Sequence, residues 1–415
     1  MTPELKGYLV VTMLKMLVVF SGTMVGVMMV VWAERRVSGW IQLRLGPNRV
    51  GPAGLLQSVA DGLKNILKEE AYPAHADRVL FMLAPAIAFT AALLLFAVVP
   101  FAAPLPITFD FTLPILGQFA HDRVTPMVVA DLPIGFLFIF AISSLGVYGV
   151  VLAGWASNSK YAFLGGLRAS AQMVSYEIAL VMSLIVIMIL VGSVELDDVI
   201  AVQQDTAWLI LPATFAFMLF ATSALAETNR LPFDMPEAES ELVSGYHTEY
   251  SAMKFSMFFI AEYASIITMS ALMATLFFGG WDIPFTTWDD VRVGTAVASS
   301  EPSLVKTLAT LGAFTLKTIF FVFCFIWIRW TLPRFRFDQV MALGWKVLLP
   351  SALIYIMVIA TAVWALVDVG EAISFGDEMI LFAINIVVIG LVMWIMDRGR
   401  LIVGSSARLR VRGRG

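Results

Sequence analysis

The sequence predicts an all-α polytopic membrane protein, with about nine transmembrane helices and one amphipathic helix lying along the membrane interface. Three observations predict it. Hydrophobic residues make up 60% of the 415 positions and charged ones 14%, with a mean hydropathy of +0.86; a soluble chain of this length could not bury so much apolar surface. The apolar residues gather in runs of about 20, the length that crosses ~30 Å of hydrocarbon as a helix. Lysine and arginine concentrate on alternate connectors, as they do when every other connector faces the cytoplasm. No polar or proline-rich stretch suggests a separate soluble domain, so residues 1–415 read as a single integral membrane domain.

The spans fall at roughly 9–33, 78–102, 127–153, 174–194, 207–226, 255–280, 309–330, 347–368 and 378–396. The first is too long for the apolar core of a signal peptide and ends in Glu34-Arg35-Arg36 rather than a small-residue cleavage site, so it stays as a helix. Gly22 and Gly26 within it have the spacing of close helix packing. Most of the 27 Lys and Arg lie after odd-numbered spans and in the C-terminal tail; the opposite connectors hold only Lys6, Lys15, Arg123, Arg292 and Lys306. The N-terminus is therefore expected outside and the Arg-rich tail, Arg398 to Arg414, inside. Between the first two spans, Gly46-Pro47 and Gly51-Pro52 mark turns. Leu55, Leu56, Val59, Leu63, Ile66 and Leu67 then recur at helical spacing, with Asp61, Lys64 and Lys68 on the remaining face. That segment is too short and too charged to span, so it should lie along the interface; an ordinary anchor would explain it.

Several chemistries are excluded by what the chain lacks. Cys324 is its single cysteine, which leaves no disulfide or thiolate metal site within the chain. His75, His121 and His247 all fall in connectors, so no pair on facing spans could hold a haem. There is neither a dinucleotide-binding glycine fingerprint nor a P-loop. Ionisable groups in the spans are the better signal, because a charge in hydrocarbon is costly. Glu177 sits just inside the fourth span, Glu227 closes the fifth, and Glu262 lies about two turns into the sixth, preceded by Glu249 and Lys254. Structural hydrogen bonds between helices are the plainer explanation for any one of these acids. Four acids converging on one side favour a proton-handling role. Lys317 has no evident partner in the sequence, and Arg329 is expected to snorkel to the interface. The connector AETNRLPFDMPEAESELVSGYHTEY, 226–250, sets six carboxylates against Arg230.

Five stretches carry a resemblance: ERRVSGWIQLRLGPNRVGP (34–52), ADLPIGFLFIFAISSLGVYG (130–149), WASNSKYAFLGGLRASAQMVSYE (155–177), the acidic connector (226–250) and RWTLPRFRFDQVMALGWKVLLP (329–350). With these the chain resembles subunit 1, also called the H subunit, of respiratory complex I, the proton-pumping NADH:quinone oxidoreductase. The resemblance implies a subunit at the membrane-side mouth of a quinone cavity. Glu34, Arg35 and Arg36 would stand at the entrance, with Asp61 and Lys64 on its interfacial helix. Glu177, Glu227 and Glu262 would begin a chain of buried carboxylates, and Asp234, Glu237, Glu239, Glu241 and Glu249 would extend it into the connector below. No residue of this chain would be catalytic by itself and no cofactor would be bound by it. FMN and iron–sulfur clusters would reside in partner subunits, and quinone would be the substrate.

The implied partners are the peripheral subunits of the quinone site, the antiporter-like membrane subunits and membrane lipid, with no nucleic acid. The expected location is a bacterial plasma (inner) membrane, or alternatively the mitochondrial inner membrane. The family-like core would cover about 1–368; the helix and Arg-rich tail of about 369–415 are additional to most members, and the tail most simply anchors to anionic lipid. Two other readings stay open at this point. One is the equivalent subunit of a complex with another electron donor, such as a membrane-bound hydrogenase, although the intact GPNRVGP region favours a quinone. The other is an ion-coupled transporter, which would usually show an internal repeat that is not apparent here.

Overall fold

The computed structural model describes residues 2–113, 117–236, 243–284, 286–288, 301–366 and 373–399. Its helices are α1 (Pro3–Ile41), α2 (Gln57–Leu67), α3 (Arg78–Leu95), α4 (Gly135–Ala156), α5 (Lys160–Val191), α6 (Leu196–Asp205), α7 (Thr214–Glu227), α8 (Ala252–Phe277), α9 (Leu304–Thr331), α10 (Phe337–Leu343), α11 (Leu349–Leu366) and α12 (Phe375–Gly399). A π-helical turn, Gly344–Leu348, joins α10 to α11. Among the described residues eight helical segments are long and apolar enough to cross a membrane: α1, α3, α4, α5, α8, α9, the joined α10–α11 and α12. The polytopic helical architecture is thus as expected.

The expected fifth span differs. Its helix, α7, has 14 residues, about 21 Å at 1.5 Å per residue and short of the ~30 Å slab. The preceding residues 209–213 are turns containing Pro212, so the helix starts late. The expected spans at 78–102 and 127–153 are also trimmed, because β1 (Ala102–Leu113) pairs antiparallel with β2 (Gly117–Met127) between them as a hairpin. Pro106, Thr108 and Asp110 are exposed while Leu105, Ile107 and Phe109 are half-buried, the period-2 signature of a strand. Hydropathy averaged over a span-length window hides that alternation.

The hairpin closes one end of the bundle. Gly7 of α1 packs against Ala120 so closely that an added Cβ would lie 2.1 Å from its carbonyl oxygen. Lys15 Nζ donates to the carbonyls of Pro126 (3.2 Å) and Val128 (2.8 Å), and the Ala103 N–H donates to Thr310 Oγ1 at 3.0 Å. At that same end Lys317 finds the partners its sequence neighbourhood did not show. Its ammonium donates to the carbonyls of Phe278 (2.5 Å), Gly280 (3.1 Å) and Asp282 (2.7 Å), over the Trp208 ring. It thereby caps the carbonyl end of α8, a structural role.

Helix α8 is the most enclosed of the long helices, with 72% of its apolar window buried. Gly26 touches its Ile267, whereas Gly22 faces open space, so only one glycine of the predicted pair makes a helix contact. The expected amphipathic helix appears as α2, with no fully buried residue. It is tied to α1 by Ser58 Oγ donating to the Met28 carbonyl (2.9 Å), and the turn before it by Trp32 Nε1 donating to the Ala53 carbonyl (3.1 Å). The hairpin and the start of α1 thus share one end, and Glu34, α2 and Arg230 share the other. Reporters fused after Gly415 and within 34–76 are expected on one side of the membrane, and one near Thr286 on the opposite side. All three on a single side would contradict the alternation.

Candidate functional site: a buried charge cluster and an acid-lined cavity

Helical geometry separates the three consecutive charges that end α1. Each residue turns about 100°, so neighbours face differently. Glu34 points into the bundle, 6% exposed, and ends between two guanidinium groups, with Arg230 Nη1 at 3.5 Å and Arg329 Nη1 in direct contact. Tyr263 donates its hydroxyl to Glu34 Oε2 at 2.7 Å. Arg329, expected to snorkel outward, is drawn inward because Glu34 offers a buried carboxylate within reach. Arg230 pairs through Nε with Glu262 Oε1 at 2.7 Å and lies 4.3 Å above the Tyr263 ring. Burial works against its charge, but Glu262, Tyr263 and Glu34 outweigh that and raise its pKa, so the guanidinium stays ionised. Two acids and two bases therefore balance in one cluster.

Arg35 faces outward and pairs with Asp61 of α2 at 2.5 Å, with Lys64 at 3.1 Å from the same carboxylate. Partial burial acts the other way, but Arg35, Lys64 and Gln57 hold the Asp61 carboxyl below its usual range. Arg36 donates to the Pro47 carbonyl at 3.1 Å and so shapes the 42–52 turn. The five residues expected at a quinone entrance thus divide into a buried Glu34, a loop-holding Arg36 and a group in which exposed Arg35 and Lys64 flank the half-buried Asp61.

A second group lies beyond Glu262. Glu262 and Glu227 line one cavity of about 70 Å³, with Ser143, Asn229, Ser265 and Tyr246 around it. That volume is room for several waters, each needing only ~10–15 Å³ by this measure. Glu227 accepts from Ser143 Oγ, and its Oε2 is buried with no hydrogen-bond partner. The next residue of α4, Ser144, donates to Glu177 of α5. Adjacent serines on one helix therefore hold two carboxylates from two others. Glu34, Arg230 and Glu262 thus form one ion-paired cluster, Glu262 and Glu227 face one cavity, and Glu177 is held on the serine next to the one that holds Glu227.

Local structure fixes the connector that starts this series. Gln172 of α5, fully buried, donates its amide to the carbonyls of Ala226 (2.7 Å) and Phe233 (2.7 Å) and to Asn229 Oδ1 (3.2 Å). Asp234 takes a separate partner, Arg334 at 2.7 Å, and does not line the cavity. Glu249 is half-buried in the turn before Tyr250, whose ring stacks on Phe81 at 4.0 Å. Glu237, Glu239 and Glu241 lie outside the described residues. His247 is buried, and burial lowers its pKa to about 4, so it is neutral at physiological pH. Among the described residues no group of three or more His, Cys, Asp or Glu could hold a metal ion.

Gly245 closes the connector at φ +63°, where an added Cβ would lie 1.6 Å from the Pro236 carbonyl oxygen. Gly245→Ala is expected to lower the amount of assembled protein severalfold, measured on native gels of solubilised membranes, since such strain costs about 1–3 kcal/mol or more. Wild-type amounts would mean the turn can open freely. The residues that sequence reasoning missed are Ser143, Ser144, Tyr263 and Gln172, whose types are common in helices and whose role rests on what they face.

Residues 14–360 match the family model described as NADH dehydrogenase. The chain belongs to the family of the H subunit of NADH-quinone oxidoreductase. It is 46% identical to the H subunit of Leptospira biflexa over 346 residues, covering 83% of this chain and 92% of that one. It is 47% identical to the H subunit numbered 2 of Koribacter versatilis over 358 residues, 85% of this chain and 97% of the relative. With the H subunit numbered 1 of Geobacter metallireducens the identity is 48% over 328 residues, 79% and 89% of the two chains. The family match ends within α11 and leaves α12 beyond it.

Proposed function

We propose that this subunit lines the membrane-side mouth of a quinone-reducing site in an NADH-quinone oxidoreductase and carries the first proton-handling groups that couple quinone reduction to proton translocation. The observation that carries the reading is the succession of buried charged groups from Glu34 through Arg230 and Glu262 to the cavity that Glu262 shares with Glu227, with Glu177 on the neighbouring serine. A quinone taking up two electrons also takes up two protons, and a deep site must draw them through titratable groups or water. Glu34 sits where α1 leaves the bundle towards α2, beside the Arg35–Asp61–Lys64 group. A charge change near that opening would be felt first by Arg230 and Glu262. Electrons would reach quinone from FMN and iron–sulfur clusters held by partner subunits, and the chain would work in a bacterial inner membrane, as the organisms of its relatives suggest. In the native complex, Arg36→Ala should impair quinone reduction while artificial acceptors upstream are still reduced. Equal loss of both activities would instead indicate failed assembly and remove support for an entrance role.

A further inference from the structure

The long apolar helix α12 lies outside the family match, yet it holds one of the most completely bonded polar side chains in the bundle. Asn385 is fully buried. Its amide nitrogen donates to the carbonyls of Pro212 (2.7 Å) and Leu381 (2.8 Å). Its oxygen accepts from the Phe215 N–H (3.0 Å) and from the Tyr355 hydroxyl (2.7 Å). Tyr355 of α11 also meets the Phe215 ring edge-on, with centroids 5.0 Å apart.

These bonds fall where α7 needs them. A helix that begins part-way through an apolar slab leaves first-turn N–H groups without intrahelical partners, and hydrocarbon supplies none. Phe215 is the second residue of α7, and Pro212 belongs to the turn that delays its start. Asn385 satisfies a donor on one side of the break and an acceptor on the other, which a side chain with a single function could not do. The other end of α7 is Glu227, 12 residues and about 18 Å further along one hydrogen-bonded rod. A shift or rotation at Phe215 is therefore passed to the carboxylate that faces Ser143 and the cavity.

We propose that Asn385, on the appended helix α12, is a positioning residue for Glu227: it fixes the broken start of α7 and so sets where the Glu227 carboxylate stands. The proposal rests on the relay role given to Glu227 above. It makes α12 part of the coupling machinery rather than an added anchor.

The test uses the native complex purified from its own membranes, with NADH:quinone turnover, the KM for quinone and protons moved per NADH measured per assembled complex. Asn385→Leu keeps the size and removes every polar bond. It is expected to lower turnover about tenfold with the KM within about twofold, and to add no further loss in a Glu227→Gln background. Tyr355→Phe removes one bond with little change in packing. It should lower turnover about twofold in the same pattern, which keeps the idea testable should Asn385→Leu fail to assemble. Normal turnover per complex in Asn385→Leu, or in Tyr355→Phe where Asn385→Leu does not assemble, overturns the proposal. So do losses that multiply in the double variant. If Glu227→Gln is severely impaired while Asn385→Leu is normal, only the positioning role fails. If Glu227→Gln itself turns over normally, the relay role fails first.

Discussion

Glu227→Gln is expected to assemble in normal amount yet lose most of its quinone-reductase turnover, by about tenfold or more, together with its proton translocation. Gln keeps the shape of Glu and can still accept a hydrogen bond from Ser143, but it cannot gain or lose a proton. A carboxylate serving only as a hydrogen-bond acceptor would survive this change, and Glu227→Leu would then be the disruptive variant. The two substitutions separate chemistry from packing once the amount of complex is known. Near-normal turnover in assembled Glu227→Gln would end the relay role for this residue. The family assignment would stand, because it rests on matches over most of the chain.

Arg230→Met is expected to act chiefly through stability. Arg230 is 4% exposed and lies between Glu34 and Glu262. Removing one partner from a buried ion pair typically costs about 3–5 kcal/mol, because the remaining charge stays buried without compensation. Glu34 keeps Arg329 and Tyr263, whereas Glu262 loses its ion pair with Arg230. The single variant should therefore assemble poorly and melt at a lower temperature, whereas Arg230→Met with Glu262→Gln should recover most of the assembly. Recovery of assembly without recovery of turnover would mark the pair as functional as well as structural. A single Arg230→Met variant with wild-type abundance and melting temperature would contradict the cluster as described.

Local signals made part of this molecule legible beforehand. The period of Leu55, Leu56, Val59, Leu63, Ile66 and Leu67 foretold the amphipathic helix α2, because an amphipathic face is written into neighbouring residues. Acids standing in apolar runs pointed to Glu227 and Glu262, which do share a cavity. What stayed hidden depends on distant partners. Glu34 and Arg329 are 295 positions apart, and nothing near either one reveals that they touch. The hairpin was masked by apolar runs on both sides, and the late start of α7 by a hydropathy average that ignores where backbone bonds fail. Ser143 and Ser144 became conspicuous only once Glu227 and Glu177 were seen against them.

The hairpin that closes one end of the bundle bears on the electrical work that a proton relay through these groups would do. Carrying a charge across the whole bilayer works against about 2.3 kcal/mol for every 100 mV of membrane potential. Hairpin backbone and the Lys317 cap fill one end, whereas Glu34, Glu262, Glu227 and Glu177 follow one another from helix to helix. A proton handed along those groups would pass from helix to helix without crossing the hairpin end, and so would traverse only part of the voltage drop. Steps within this subunit should then proceed at nearly the same rate in energised and de-energised membranes. The back-pressure of the potential would fall on whichever neighbouring subunit completes the crossing.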